Sequence, residues 1–125
     1  MATSTAQKYE EKRQKNREKT LSRVAVQKMF HAYNFDACKY FDKLSVEKGW
    51  NLRHAENGGE FLVRRYWVDA YDEKLNIVVE YDEPRHYSGG VLKKKDVERM
   101  NRIISELNCR FFRYNESTKE LIQYA

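Results

Sequence analysis

Apolar residues recur at three- and four-residue steps in two parts of the chain, which is the spacing of one helix face. In the first part the apolar positions are Phe35, Cys38, Phe41 and Leu44. In the second part they are Val97, Met100, Ile103, Ile104 and Leu107. The first pattern predicts a helix over residues 36–48 that ends at Gly49, and the second predicts an amphipathic helix over residues 92–107.

The stretch between these helices is rich in apolar and aromatic residues and has the turn signals of β-structure. An NGG turn precedes an apolar run over residues 61–71, and the polar triplet DEK separates this run from a second one over residues 75–82. Two such runs around a short polar turn predict an antiparallel hairpin. Pro84 and the glycines at 89 and 90 predict a loop over residues 83–90, since proline cannot extend a central strand.

The chain continues with a strand and a short helix in our prediction. The sequence NCRFFRY, residues 108–114, predicts a strand. STKELIQY then predicts a last helix, with Ser117 as its N-cap and Glu120 three residues later. A strand, a helix and another strand in succession favour a parallel pairing with a right-handed crossover. The expected fold is therefore a mixed α/β sheet, made of an antiparallel hairpin and a parallel crossover strand, with flanking helices.

The N-terminal segment has a different character. Residues 5–31 contain good helix formers without proline or glycine, and the segment is almost entirely polar between Gln7 and Thr20. We predict a long exposed helix, with residues 1–33 as a basic arm and residues 34–125 as the core. The cations of the arm that would contact phosphates are Lys8, Lys12, Arg13, Lys15, Arg17 and Lys19. A plain solvated helix or a contact between subunits is the alternative.

Charge adds a candidate partner to this picture. The chain of 125 residues fits one domain and carries a net charge of +5, with 34% charged and 14% aromatic residues. Residues 1–54 carry twelve Lys and Arg against six Asp and Glu, whereas residues 55–96 carry seven against nine. A basic front half before an acidic middle is typical of a cationic surface for nucleic acid beside a carboxylate pocket, although a solvated face is the simpler interpretation.

Cysteine content and hydropathy restrict the compartment. Cys38 and Cys109 are the only cysteines, and neither lies in a spacing typical of a zinc site. We expect two buried thiols in a reducing environment. The sequence has no apolar run near the roughly 20 residues of a membrane span and no apolar stretch typical of a signal peptide at its start. The expected compartment is the cytoplasm, or the nucleus if the host has one, with no membrane partner.

Carboxylates occupy positions of the second apolar run where buried residues are expected. Side chains alternate along a strand, so Ile77, Val79 and Tyr81 share one face. Glu80 and Asp82 point together from the opposite face, near the end of the strand. Functional sites of α/β sheets tend to lie at that end.

A third carboxylate lies on the preceding run. Asp69 is flanked by Val68 and Ala70, where an isolated carboxylate is costly or has a shifted pKa. The short DEK turn folds the two runs together and brings Asp69 within reach of Glu80. Neighbouring carboxylates repel one another unless a cation lies between them. Ligands that are all oxygen atoms suit Mg²⁺ or Mn²⁺.

The segments HAENGGEFLVRRYWVDAYDEKLNIVVEYDEPRHY and LKKKDVERMNRIISELNCRFFRY resemble a family of nucleases. They are similar to compact PD-(D/E)xK nucleases of the very short patch repair endonuclease type, including homing-endonuclease relatives called EDxHD. The resemblance covers about residues 50–115 and depends on the combination of an aspartate, ExD, a histidine and a DxxR motif. It implies a restriction-endonuclease-like fold and hydrolysis of phosphodiester bonds.

The resemblance implies a role for each matching residue. Asp69 and Glu80 would bind the metal, and Glu60 would be a further carboxylate of the pocket. His86 would be the general base or proton shuttle, because the pKa of imidazole lies near neutral pH. Asp96 would be the partner of His86 or an additional ligand.

The sequence departs from the superfamily pattern at one position. Asp82 stands where the name-giving lysine is expected, two residues after the second acid. We expect Asp82 either to bind metal or to position His86. The cations that would replace the lysine or offset phosphate charge are Arg85, Lys93, Lys94, Lys95 and Arg99.

Several of these residues also have a structural interpretation. Asp69 would be a strand-end residue bonded to backbone amides, and Glu80 would pair with an arginine in a structural salt bridge. Asp82 would cap the loop before Pro84, Asp96 would stabilise the start of its helix, and His86 would be a hydrogen-bonded loop histidine. His31 and His54 are expected to be structural or surface residues. The aromatic residues Tyr66, Trp67, Tyr71 and Tyr87 fit sheet packing better than base stacking.

The leading hypothesis is a DNA endonuclease that depends on Mg²⁺ or Mn²⁺ and nicks DNA in homing or repair. RNA remains an alternative substrate, and a homodimer would be needed for a double-strand break. The first rival is a non-catalytic nucleic-acid-binding protein on a degenerate nuclease fold. The second rival is an accessory protein whose charged arm binds another protein.

Overall fold

The computed structural model describes Glu11, Gln14, Lys15 and residues 33–125. The first three are exposed. The rest of the predicted N-terminal helix, with five of its six phosphate-contacting cations and His31, lies outside the described residues. The predicted arm therefore stays a prediction.

Helix α1, Phe35–Lys48, confirms the first helical pattern. The helix begins after Asn34, whose side-chain oxygen accepts a hydrogen bond from the Ala37 amide at 3.0 Å. It ends at Gly49, whose φ of 70° is the left-handed conformation that glycine adopts at low cost. Phe35 differs from its expected core position and is 44% exposed, because Ala37 and Cys38 of the same turn face the core instead.

Helix α2, Lys94–Leu107, confirms the second pattern but begins two residues later than predicted. Met100 and Ile103 are buried on its inner face. Asn108 ends the helix with a left-handed φ of 48°. Since asparagine tolerates this conformation better than most residues do, α2 stops where the sequence pattern stops.

The central sheet has four strands in the order β3, β4, β7 and β8. Their bounds are Ala70–Asp72, Ile77–Asp82, Arg110–Asn115 and Glu120–Gln123. β3 pairs antiparallel with β4, as the hairpin signal predicts. β4 and β7 pair in parallel, and α2 lies between them in the chain. This confirms the parallel pairing expected from the strand–helix–strand order. The mixed α/β class is therefore confirmed for the described part of the chain.

The apolar run 61–71 is not one strand, as predicted, but three. β1, Phe61–Val63, and β2, Tyr66–Val68, form a separate antiparallel hairpin before β3. Arg64 adopts a left-handed φ of 56° at its turn. A single strand of this length would extend past the six residues of β4, whereas folding back buries Phe61 and Val63 against the core.

The predicted loop over residues 83–90 is more ordered than expected. It contains a 3₁₀ helix, Pro84–His86, and a small hairpin formed by β5, Tyr87–Ser88, and β6, Val91–Leu92. Gly89 and Gly90 form the hairpin turn with φ values of 58° and 80°. The Lys93 amide donates to the His86 carbonyl at 2.9 Å and closes the segment at the start of α2.

The predicted last helix is wrong, because residues 120–123 form the edge strand β8, antiparallel to β7. The Asn115 side-chain oxygen accepts hydrogen bonds from the amides of Ser117 and Thr118, at 2.9 and 3.2 Å, and this forms a turn. Lys119 completes the turn with a φ of 59°. A helix of so few residues is marginal, whereas the open edge of β7 offers a complete ladder of hydrogen bonds.

The central strand β4 is buried on both faces, since each of its residues is buried. Ile77 and Val79 pack with Phe41 of α1 on one face. Val78 packs with Ile103 of α2 on the other. The predicted alternation is thus confirmed, and it places Glu80 and Asp82 on the face that α2 covers.

Cys38 and Cys109 are free and buried, as expected. Burial raises the pKa of the Cys38 thiol to about 12. Within residues 33–125 and the three described residues before them, neither helix has the length and apolar character that a bilayer crossing requires.

Replacing Leu44 by alanine tests the packing of α1. Leu44 lies on the inner face of α1, packs in the core and is 3% exposed. We therefore expect the free energy of unfolding to fall by about 2–5 kcal/mol. Val46→Ala on the same helix is the matched control, because Val46 is 85% exposed and its loss should change stability by less than about 0.5 kcal/mol. Urea denaturation measures both. Equal losses would contradict the orientation of the helix.

Candidate active site

A cleft of about 240 Å³ lies where the carboxyl ends of β4 and β7 meet the start of α2. It gathers five of the six residues that the sequence predicts as catalytic, namely Asp69, Glu80, Asp82, His86 and Asp96. Arg85, Arg99 and Arg113 also line it. Groups that are distant in sequence thus meet at the end of the sheet where the strand pattern predicts a site.

Asp69 and Glu80 lie side by side, as predicted. The Asp69 amide is 3.3 Å from Glu80 Oε2, and the Tyr81 amide donates to Asp69 Oδ2 at 2.9 Å. Burial, and then the neighbouring Glu80 carboxylate, raise the pKa of Asp69 well above its usual range. Burial and the neighbouring carboxylate therefore favour the neutral form of Asp69.

Arg99 of α2 lies on the other side of Glu80. Its Nη1 donates a hydrogen bond to Glu80 Oε1, and its Nη2 donates to the Trp67 carbonyl at 2.6 Å. Burial alone would raise the pKa of Glu80, but Arg99, the hydrogen bond with Asp69 and Arg113 together outweigh burial, and the pKa is lowered. Glu80 is therefore the ionised member of the pair, held through one oxygen by Arg99 while the other faces Asp69.

Asp82 is bound on both oxygens by protein groups. Arg113 Nε donates to Oδ2 at 2.7 Å and Nη2 donates to Oδ1 at 2.9 Å, a bidentate pair in which both side chains are almost fully buried. The Tyr87 hydroxyl also donates to Oδ2 at 2.8 Å. In this arrangement Asp82 ties the segment before α2 to β7, which fits the predicted positioning role better than metal binding or a loop cap.

His86 and Asp96 form a second pair in the cleft. His86 Nδ1 lies 3.1 Å from Asp96 Oδ1. Since a carboxylate accepts hydrogen bonds, this contact assigns the proton to Nδ1 and leaves the lone pair on Nε2. Among the described residues, Asp96 Oδ2 has no hydrogen-bond partner although it is buried. The predicted partnership of the two residues is thus present in the structure.

Glu60 lies apart from the histidine. It lines a neighbouring cavity of about 50 Å³ that Asp69 also borders. Its charge contributes, after burial and Glu80, to the raised pKa of Asp69. The structure therefore brings Glu60 near one of the two predicted metal ligands but not into the cleft with His86.

The predicted cations are placed differently from one another. Arg85 borders the cleft and lies 3.6 Å from Glu83 in an exposed ion pair. Lys94 and Lys95 are exposed on α2, and the lysines at 93–95 are not among the cleft residues. Arginines, rather than these lysines, supply the positive charge next to the acids.

Arg113 is the residue of the cleft that sequence reasoning missed. It lies opposite Glu80 in the parallel register of β4 and β7. Its signal was present, because alternation places it on the same strand face as the apolar Phe111. An arginine on a buried strand face requires an anionic partner. The identity of that partner depended on the register.

His54 has the structural role that was expected of it. It is buried, and its Nε2 lies 2.7 Å from Asp42 Oδ1 on α1. Its Nδ1 accepts from the Glu56 amide at 3.2 Å, and its carbonyl accepts from the Gly59 amide at 2.8 Å. The histidine thus fixes the NGG turn against the helix, away from the cleft.

Metal-ligand geometry is limited in the described residues. In this part of the chain, no three His, Cys, Asp or Glu side chains are arranged to hold a metal ion. What the site provides is the pair of oxygen donors Asp69 and Glu80. A pair suits Mg²⁺, which protein sites often bind through one or two carboxylates, with water and substrate phosphates completing the shell.

The chain was compared with models of protein families, with curated proteins and with solved structures, and none of them matches. The nuclease resemblance therefore depends on the motif residues themselves and on the geometry they adopt.

Removing Arg113 tests the buried ion pair. Arg113→Ala leaves Asp82 charged and unpaired, so we expect a loss of about 3–5 kcal/mol in the free energy of unfolding. The double variant Asp82→Asn/Arg113→Met should recover more than half of this loss, because neither member of the pair then carries a buried charge.

Arg110→Ala on the same strand is the control for this prediction. Arg110 is exposed and lies 5.9 Å from the Trp50 ring, so its loss should cost less than about 1 kcal/mol. Chemical denaturation of the four proteins gives the comparison. An Arg113→Ala variant as stable as Arg110→Ala would contradict a structural ion pair.

Proposed function

We propose that this protein is a metal-dependent endonuclease that hydrolyses phosphodiester bonds of DNA, on a restriction-endonuclease-like fold. The observation that carries the proposal is the placement of two carboxyl groups, Asp69 and Glu80, in one cleft with the His86–Asp96 pair. These groups come from four separate segments of the chain. They are four of the residues that the nuclease resemblance assigns to the site, whereas Glu60, which it also assigns there, lies outside the cleft.

The donor set fits Mg²⁺ or Mn²⁺. A divalent cation bound between these adjacent carboxyl groups would offset the burial cost and the repulsion that raise the pKa of Asp69. Glu80 presents Oε2 toward Asp69, since Oε1 is bonded to Arg99. When bound, the ion supplies Lewis-acid chemistry, polarising a phosphoryl oxygen and lowering the pKa of a water molecule.

His86 supplies the proton chemistry. With its proton on Nδ1 and directed to Asp96, the imidazole presents Nε2 as the acceptor for a proton from attacking water. Asp96 fixes this tautomer and stabilises the imidazolium that forms. The 3₁₀ helix that contains His86 is closed onto α2 through the His86 carbonyl, so the ring is held at the cleft.

Asp82, Arg113 and Tyr87 act as a positioning group in this proposal. The aspartate that replaces the superfamily lysine carries no free oxygen for catalysis, because both of its oxygens accept hydrogen bonds from Arg113 and one also from Tyr87. Tyr87 follows His86 directly in sequence. Its hydroxyl bond to Asp82 therefore ties the histidine segment to the sheet.

A second candidate function is a non-catalytic nucleic-acid-binding protein on the same fold. The observation that favours it is the pairing of Glu80 with Arg99 and of Asp82 with Arg113. Two guanidinium groups already offset two of the carboxylates, which weakens the requirement for a cation. Under this alternative the cleft would be a structural ion-pair network, and the basic residues alone would bind the substrate.

The partner is proposed to be DNA, with RNA as the alternative, and nicking is the expected product of a single site. The predicted cations of the N-terminal arm would add phosphate contacts. A homodimer would place two sites for a double-strand break.

Metal binding is tested by thermal unfolding in increasing Mn²⁺ or Mg²⁺. A ligand that binds the folded state stabilises it, by about 2.7 kcal/mol at a hundred times its Kd, so Tm should rise with metal in the native chain. Asp69→Asn should abolish the rise, because it removes one of the two oxygen donors. Glu73→Gln, at an exposed acid of the β3–β4 turn, should keep it. An equal rise in Asp69→Asn would place the metal elsewhere.

Catalysis is tested by nicking of a supercoiled plasmid with Mg²⁺ or Mn²⁺. We expect the native chain and Glu73→Gln to nick, and Asp69→Asn and Glu80→Gln to fall to background. His86→Ala should lose about 10²- to 10⁴-fold, the contribution of a general base. Equal nicking by all variants would remove the site assignment. Tight DNA binding by the native chain without nicking would favour the non-catalytic alternative.

A further inference from the structure

A group of arginines surrounds one tyrosine on the surface next to the cleft. Arg65 and Tyr66 lie at the turn and start of β2, while Arg99 and Arg102 project from α2. We call these four residues the arginine–tyrosine patch. Arg65 and Arg102 were not singled out by the sequence, and Tyr66 was expected to pack in the sheet, because RRYW is part of an apolar run.

Tyr66 is the centre of the patch. Its phenol oxygen accepts hydrogen bonds from Arg65 Nη2 at 3.2 Å and Arg102 Nη1 at 3.4 Å. The Arg65 and Arg99 guanidinium carbons lie 5.3 and 5.6 Å from the centre of its ring. The bond from Arg65, more than any other contact, lowers the pKa of Tyr66. Three cations therefore converge on a single aromatic side chain.

In the described part of the chain, two of the three arginines of this patch lack an ion-pair partner, whereas Arg99 pairs with Glu80. Among the described residues, no carboxylate lies within ion-pair distance of Arg65 or Arg102, both of which are exposed. Arg64 differs, because Glu106 pairs with it at 2.8 Å. Two guanidinium groups that lie close together without an ion-pair partner raise the local positive potential, although Glu98 and Glu106 lie one turn of α2 from Arg102. A positive potential is favourable where an anion binds.

Arg99 connects the patch to the cleft. One of its nitrogen atoms donates to Glu80, while its guanidinium also lies near the face of the Tyr66 ring. A polyanion that follows the patch would therefore arrive beside the Asp69–Glu80 pair. Planar guanidinium groups suit phosphate oxygens because they offer two parallel donors.

We propose that the arginine–tyrosine patch binds backbone phosphates of the nucleic acid and directs the strand to the cleft. The choice of nucleic acid as the partner rests on the proposed function, since the patch adjoins the site assigned to phosphodiester hydrolysis. Tyr66 holds the Arg65 and Arg102 guanidinium groups in place, which limits the side-chain entropy lost on binding. Contacts of this kind give affinity without reading base sequence.

The test is the salt dependence of DNA binding by Arg65→Ala/Arg102→Ala. Fluorescence anisotropy with a labelled duplex in EDTA separates binding from cleavage. We expect the Kd to rise at least about tenfold at low salt. The slope of log K against log salt should become shallower by about 2, because two phosphate contacts are lost.

The matched control is Lys74→Ala/Arg110→Ala, which removes two exposed charges at the opposite end of β4 and β7. This control should keep most of the affinity for DNA and most of the salt slope, because the patch acts through the position of its arginines and not through the net charge of the protein. Equal losses in the two double variants would overturn the patch as a specific surface. So would an unchanged Kd in Arg65→Ala/Arg102→Ala. The replaced residues of both double variants are exposed, so thermal unfolding should show that both variants are folded.

Comparison with the nicking assay distinguishes this inference from the proposed activity. A native chain that binds DNA through the patch but does not nick would support the patch and overturn the endonuclease. Nicking that is unaffected by Arg65→Ala/Arg102→Ala at low DNA concentration would overturn the patch alone. Binding of the native chain to anionic lipid vesicles and not to DNA would overturn the choice of partner.

Discussion

The structure depends on how two carboxylates are compensated on a strand that is buried on both faces. Glu80 and Asp82 point to the same side of β4, beneath α2, where unpaired charges would cost several kcal/mol each. Arg99 comes from the helix above and Arg113 from the parallel strand beside them. Each ion pair therefore joins two elements, so the position of α2 and the register of β7 are coupled to the state of the acids.

Because of these ion pairs, the acids of the cleft have two different roles. Asp82 is fully bonded by Arg113 and Tyr87, and it serves the architecture. Glu80 is bonded to Arg99 on one oxygen and faces Asp69 with the other. Burial and the neighbouring Glu80 carboxylate raise the pKa of Asp69 and favour its neutral form. The proposed metal ion would bind at the Asp69–Glu80 pair, beside the His86–Asp96 pair. Arg99 links Glu80 to the arginine–tyrosine patch outside the cleft.

The errors of sequence interpretation concern places where the local pattern competed with a tertiary partner. An apolar run of eleven residues was interpreted as one strand, but burying Phe61 and Val63 against the core required a reversal at Arg64. A capping-box sequence indicated a helix, but the unpaired edge of β7 offered β8 a full ladder. In both cases the local preference of the sequence was weaker than the free energy gained by side-chain burial or by strand pairing.

By itself, the sequence determined the two core helices, the alternation of β4 and the approach of Asp69 to Glu80. These follow from periodicity and from turn residues. The placement of His86 and Asp96 beside this pair was implied only by the nuclease resemblance. The tertiary structure alone decided that Arg113 bonds Asp82, that Glu60 lies outside the cleft, and that the cations near the acids are arginines of α2 and β7 rather than lysines 93–95. Register and helix docking set these partnerships, and both arise from contacts between segments about thirty residues apart, which no local pattern encodes.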